Sequence, residues 1–518
     1  MSDFDFLHLP HPLGERDLVP ASGSGVALIA ETFDGRIHVE WDPDAAVTPL
    51  GQLAFFVDFL KTAELFGPWV AQSPLRYTSN NAPKPVDVLG TLLLSVLAGQ
   101  HRYAHITSVR CDGVNPGLLG MSKVVSVDSA RRAFLGKDPG QCRDWQWSHL
   151  RRCYEVLLDR PWILDVDTSV KVLYGHQEGA VRGYNPKKPG RPSHVLHTYF
   201  MANTRLVLDV EVRPGNETAA QYTMPGLWAF LDGLELGQRP AFVRGDCAFG
   251  NERDMRDAEA RGMHYLFKLR QTAGVKTLIR QLFKRDAWTP AWQGLEGADA
   301  SLRLQGWTRS RRVVVLRRRI RGEMAVKSRC AELGQTELAW IELCEGGVAY
   351  EYAVLVTSLA DPLATLAQHY RDRADAENVY DELKNQWGWG GYTTHDLHRC
   401  QVMARIVAQV YNWWSLYVGL ALPDRHAEAI TSRPLLLHAV GKQIRHAGKS
   451  VLFLTSMHAH APMMERCLQT VESFLTYIRT TARQLNWNER WRLILDRVFV
   501  RFLRKHDSGA GPPLPAPA

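Results

Sequence analysis

No C-x-x-C pair occurs among the eight cysteines, which are scattered from Cys111 to Cys467 along 518 residues. That dispersion argues against a zinc site or a disulfide framework and suits a reducing compartment. No apolar run approaches the roughly 20 residues of a membrane span; the longest, VLGTLLLSVLAG, covers 88–99. The opening MSDFDFLHLPHPLGERD is acidic and lacks a signal-peptide pattern, so a cytoplasmic location is expected. Internal repeats are also missing. What is present is ordinary globular composition, 45% apolar and 22% charged, enough for several domains with cores of their own. The formal charge of +8 favours a polyanionic partner only weakly, so clustering of charge says more than its sum.

Along the chain, residues 1–150 read as a mainly helical region, with a short hairpin in GVALIAETFDGRIHVEW and helices in GQLAFFVDFLKTAELF and VDVLGTLLLSVLAGQHRYAHITSVR. In SVDSARRAF, Ser126 or Asp128 is placed to cap a helix that carries Arg131 and Arg132. A helix-turn-helix-like DNA reader and a plain bundle with solvated arginines both fit this stretch. Residues 151–275 alternate short strands (162–175, 194–215, 240–246, 264–270) with helices (219–234, 252–262), a mixed α/β layer. Residues 276–356 turn mostly β, 357–400 hold a further helix, and long amphipathic helices dominate 401–505. The tail 506–518, rich in Pro and Gly, is expected to be disordered.

The most informative segment is YRDRADAENVYDELKNQ, where Tyr370, Arg373, Glu377 and Lys384 stand at offsets of zero, three, seven and fourteen. At about 100° per residue these positions share one helix face. Packing does not require a carboxylate flanked by an aromatic and two cations. The cations suit phosphate and the carboxylate suits a hard divalent metal. Two more acidic sites lie upstream. In Ile163-Leu-Asp-Val-Asp-Thr168, strand alternation puts Asp165 and Asp167 on one face, and either can serve as a ligand. In VRGDCAFGNERD, Asp246 follows an apolar strand and a Gly turn and precedes a helix, where α/β sheets often present catalytic groups.

The spacing Y-x(2)-R-x(3)-E-x(6)-K resembles the motif of DDE transposases encoded by one large group of bacterial insertion sequences. The resemblance covers about 160–400. It implies an RNase H-like catalytic core interrupted by a β-rich insertion, with helical N-terminal and C-terminal domains. The 131 positions between Asp246 and Glu377 leave room for that insertion. It favours Asp167 over Asp165, because an Asp followed by Thr at the end of the first strand fits the family. It further implies that Asp167, Asp246 and Glu377 hold two Mg²⁺ ions, with Mn²⁺ as a substitute. The implied partners are double-stranded DNA, both transposon ends and target, and a second copy of the chain in a synaptic complex. The implied place of action is the bacterial nucleoid.

Candidate DNA contacts follow. Residues 301–321, SLRLQGWTRSRRVVVLRRRIR, carry eight arginines and no acid, so at least one face of this strand is expected to meet solvent or phosphate. Arg311, Arg317 and Arg319 are its expected contacts, and Trp307 beside them is a stacking candidate, with Trp288, Trp292 and Trp340 competing. The Pro/Gly-stiffened loop 182–194 offers Lys187, Lys188 and Arg191 to a DNA backbone. Tyr370, Arg373 and Lys384 would clamp a 5′ phosphate. His176 and His194 read as packing or DNA-contacting residues rather than metal ligands. Two rival functions remain open on sequence: a non-cleaving, domesticated DNA-binding protein, and an RNase H-like host nuclease.

Overall fold

In the computed structural model, residues 28–42, 44–79, 82–186, 188–285, 288–292, 294–320, 342–343 and 349–500 are described. Among them the dominant element is an 11-stranded sheet. Its central part is built from β1 (Ile163–Val172), β2 (Pro192–Met201), β3 (Leu206–Pro214), β4 (Phe242–Gly245) and β5 (Tyr265–Lys268), in the order β3-β2-β1-β4-β5. The first three form an antiparallel meander, while β4 and β5 run parallel to β1. This matches the strand text read between 162 and 270. The single stretch 194–215 resolves into two strands, turned at Asn203 and Arg205, which both take positive φ.

The sheet continues from β5 into β9 (Ala349–Thr357) by antiparallel pairing and on through β8 (Arg311–Ile320), β7 (Leu295–Leu302) and β6 (Thr289–Trp292). The described residues of 276–356 thus hold β6–β9, and the stretch starts inside a helix, Ala273–Arg285, whose Val275, Leu278, Ile279 and Leu282 are buried on one face.

The helices used below are α1 (Pro139–Arg152), α2 (Ala219–Asp232), α3 (Glu252–Ala260), α4 (Leu363–Asp372), α5 (Ala374–Asn385) and α6 (Leu397–Ala421). Helix α2 packs on β1 and β2, and α6 lies against β3 and α1. Trp413, Trp414, Tyr411 and Tyr417 of α6 are at most 1% exposed, so these aromatics belong to the core of one chain. Its Arg405 is buried with Asp209 of β3, both guanidinium-to-carboxylate hydrogen bonds being 2.8–2.9 Å. Helix α4 covers a smaller apolar cluster in which Ile163, Phe242, Leu266, Val314 and Leu355 meet Leu366 and Ala367.

The N-terminal region holds the hairpin Leu28–Thr32/Gly35–Val39, exposed along its whole length, and then short helices. Ser126 caps the helix Val127–Arg132, its Oγ accepting from the Ser129 amide at 3.2 Å. Helices dominate the C-terminal region, but it also holds a hairpin, Gly441–His446 with Lys449–Leu454, that pairs with Val47–Thr48 and joins this region to the N-terminal one. Residues 501–518, and with them the tail, lie outside the described residues.

Candidate active site

The site begins with a buried charge in the middle of a short apolar strand. Arg244 of β4 sits beside Asp165 of β1 in the parallel register, and its Nε and Nη2 donate to the two carboxylate oxygens at 2.5 and 2.7 Å. Both side chains are almost fully buried. A buried ion pair of this kind survives only when its remaining hydrogen bonds are also made. Here the third guanidinium nitrogen, Nη1, donates to the carbonyl of His369 in α4.

That bond shapes the motif helix. In a continuous helix the His369 carbonyl would accept from the amide of Arg373, four residues on. Arg244 engages it instead, and the Arg373 amide bonds the Tyr370 carbonyl at 3.2 Å. The helix is consequently split, with Arg373 the shared end of α4 and α5, rather than running unbroken from Tyr370 to Lys384 as the offsets implied. Asp165 is thus committed to Arg244, which leaves Asp167 as the carboxylate of β1 that faces the site.

Arg373 fills the centre. Its Nη2 donates to Asp167 at 2.8 Å and its Nη1 to Glu377 at 2.6 Å. Its side chain is 6% exposed, against 20% for Asp167 and 62% for Glu377. Burial pushes the Asp167 carboxyl up to about 7; Arg373 opposes this, and neighbouring Asp246 reinforces it. Burial works against the Arg373 guanidinium, but Asp167, Asp246, Asp165 and Glu377 outweigh it and hold Arg373 above its ordinary range.

Asp246 sits just past β4, where its carboxylate accepts from the Ala248 amide at 2.9 Å. The preceding Gly245 has to lack a side chain. A Cβ there would lie 2.7 Å from the Phe249 ring and 3.1 Å from Val166, and this close approach holds the Asp246 turn against β1. Lys384, at the far end of α5, donates to the Val170 carbonyl at 3.0 Å and so fastens α5 along β1. Arg205, after β2, does the same through Asp375 at 2.7 Å. Tyr370 is half-buried against the cluster under α4.

Among the described residues, no three His, Cys, Asp or Glu side chains are grouped as a metal cluster. The guanidinium between Asp167 and Glu377 accounts for the spacing. The donor set still suits hard divalent cations, since Asp167, Asp246 and Glu377 offer only carboxylate oxygens.

The arginine-rich strand is not left without anions. Arg311 pairs with Glu252 and Glu259 of α3, Arg312 with Asp299, Arg317 with Glu296 and Arg318 with Glu351. Arg311 and Arg317 are buried in these pairs, and Trp307 is only 7% exposed with Arg311 over its ring. Arg317 likewise lies over Trp288, 4.1 Å from its centroid. Arg319 is exposed. In the basic loop, Lys188 and Arg191 are exposed and flank Tyr174, whose hydroxyl receives the Lys188 ammonium at 2.5 Å. Lys187, the side chain of Trp292, and Trp340 lie outside the described residues. His194 is buried with its Nε2 on the Glu178 carbonyl, and His176 is exposed.

Sequence reading missed Arg244 as the residue that sets the motif helix. The signal was there: an Arg inside the apolar run Ala241-Phe-Val-Arg-Gly245 had to find a buried carboxylate.

Among solved structures the chain is similar to a piggyBac transposase in a synaptic complex with hairpin DNA, at 10% identity and a TM-score of 0.35, with 87% of this chain and 85% of that chain covered. That likeness is too slight to bear on the site. No curated protein matches. The family model for the transposase DDE domain, group 1, matches residues 137–475, more than half of the chain, a span that takes in Asp167, Asp246, Arg373 and Glu377. The chain belongs to the group 1 family of transposase DDE domains.

Proposed function

We propose that the protein is the transposase of a bacterial insertion sequence, which binds the terminal inverted repeats, cleaves at the element's ends and joins the 3′-hydroxyls to target DNA. The observation that carries this reading is that one guanidinium, Arg373, donates to both Asp167 and Glu377, with Asp246 near enough to act on its charge, in a chain of this family. The order β3-β2-β1-β4-β5 is then an RNase H-like core, and β6–β9 the insertion between its second and third acidic residues.

Asp167, Asp246 and Glu377 would hold two Mg²⁺ ions, or Mn²⁺. Bound there, divalent ions supply charge neutralisation at the reacting phosphorus and lower the pKa of a water or 3′-hydroxyl nucleophile. The chain's own part is positional. Asp165 and Arg244 fix the break before α5, and Lys384 and Arg205 fix where α5 lies on the sheet. Arg373 bridges Asp167 and Glu377 and, together with Tyr370, would hold a DNA phosphate. Lys188, Arg191 and Arg319, all exposed, serve the DNA backbone. Arg311, Arg317 and Trp307 brace the insertion against α3 and β7 instead. Handling two ends together calls for a homodimer in a synaptic complex. The proposed place of action is the bacterial nucleoid; none of the described helices is long and apolar enough to cross a membrane.

Supercoiled plasmid carrying the gene with its flanking inverted repeats, incubated with the protein and Mg²⁺, tests the reading. Nicks at the repeat termini are expected. A shifted but uncut plasmid would point to a pure binder, and cuts placed by DNA structure alone to a host nuclease.

A further inference from the structure

Away from the carboxylates, the segment following β1, the helix Val127–Arg132 and the turn before α6 enclose a cleft of about 450 Å³. Arg131, Arg132, His176, Thr393, His395 and Arg399 line it, and no carboxylate is among the lining residues. Two acids stand behind these cations: Asp128 bonds Arg131 at 2.7 Å and lies 3.9 Å from Arg132, and Asp396 pairs with Arg399. The lining itself thus offers three guanidiniums and no carboxylate, while Asp128, Asp396 and Glu178 stand behind it. The arrangement is braced and not a chance meeting of mobile side chains. Arg399 is 12% exposed and donates to the Arg131 carbonyl at 2.7 Å, joining α6 to the N-terminal helix. The Glu178 amide donates to the His395 carbonyl at 2.8 Å, and the Glu178 carboxylate accepts from the Leu397 amide at 3.0 Å, joining the loop after β1 to the same turn. Arg131 and Arg132 keep 48% and 65% of their side chains exposed toward solvent.

Asp167 and His176 are nine positions apart. Even fully extended this stretch spans no more than about 30 Å, which is within one turn of duplex DNA, about 34–36 Å. We infer that this cleft is a phosphate clamp for double-stranded DNA, holding its backbone within one helical turn of the phosphodiester at the carboxylates, with Arg131 and Arg132 each neutralising a phosphate. The inference rests on the DNA-processing reading above and adds to it the N-terminal helix and the α6 turn as a single docking surface.

The test is a salt titration of binding to a 40-bp duplex, with full-length wild type, the Arg131→Ala/Arg132→Ala double variant and the Arg132→Ala single variant. Each lost phosphate contact lowers the slope of log affinity against log salt by about 0.9. The expected changes are therefore about 2 for the double variant and about 1 for the single, with unchanged thermal melting. Slopes equal to wild type in both variants would overturn the clamp while leaving the DNA reading intact. Failure of wild type to bind the duplex at low salt would overturn both. Binding of inorganic phosphate by wild type with no change in the duplex slopes would also remove the clamp, marking the cleft as a small-anion site.

Discussion

Arg373 donates to Asp167 across 2.8 Å from a nearly buried position, so one carboxylate of the proposed metal set is held by the chain's own cation. Removing the guanidinium in Arg373→Ala leaves the largely buried Asp167 without its cation. Breaking a buried pair from one side costs about 3–5 kcal/mol. The lower end is expected, because Asp167, already pushed up to about 7, can take a proton. Added Mn²⁺ should raise the melting temperature of this variant more than that of wild type, by mass action on a site the arginine no longer shares. Equal Mn²⁺ shifts would show that guanidinium and metal do not compete.

The neighbouring carboxylates of β1 should separate cleanly. Asp165→Asn strands Arg244 in the core and loosens its hold on the His369 carbonyl, so a loss of about 3 kcal/mol or more is expected in urea unfolding. Asp167→Asn removes a charge that burial disfavours and leaves Arg373 bonded to Glu377, so it should fold with little loss. Yet it should not nick DNA. A stable Asp165→Asn, or nicking by Asp167→Asn, would reverse the two assignments.

Much of this was legible in the sequence, and what escaped shares a cause. Strand alternation and turn residues locate β1, β4 and β5 within about three residues at each end, because local pattern sets them. The spacing of Tyr370, Arg373, Glu377 and Lys384 is likewise local. Missed features depend on partners far along the chain. Arg311 reads as an unbalanced cation until α3, over fifty residues earlier, brings Glu252 and Glu259 to it. For Trp307 base stacking and ordinary burial both fit the sequence, and the structure buries it with Arg311 over its ring. The helix break at Arg373 needs a carbonyl claimed by a residue 125 positions away in sequence.

Arg311 and Arg319 give a matched pair within one strand. Arg311→Ala uncovers two carboxylates pulled down by its guanidinium, Glu259 to about 2, and should lower the melting temperature by several degrees. Arg319→Ala, at an exposed position, should leave melting unchanged and lower the salt slope of DNA binding by about 0.9. The opposite pattern would move the DNA contact to Arg311.

A pH effect is expected away from the site. Burial pushes fully buried Asp254 up to about 7 from the usual carboxylate range, despite the Asn251 amide bonded to it at 2.6 Å. With its folded pKa raised, its contribution is fully present below the unfolded value near 4 and is lost as pH rises through about 7. Asp254→Asn does not titrate, so the stability of the variant relative to wild type should grow between pH 5 and pH 8 in urea titrations. A difference independent of pH would mean that Asp254 does not carry this cost.

The central claim is that Asp167, Asp246 and Glu377 form one site for divalent ions once the substrate is engaged. The direct measurement is Mn²⁺ stoichiometry by electron paramagnetic resonance on the complex with repeat-end DNA, for wild type and Glu377→Gln. Two bound ions in wild type and fewer in the variant, with DNA affinity retained, is the predicted result. Two ions in both would remove Glu377 from the site and contradict the account.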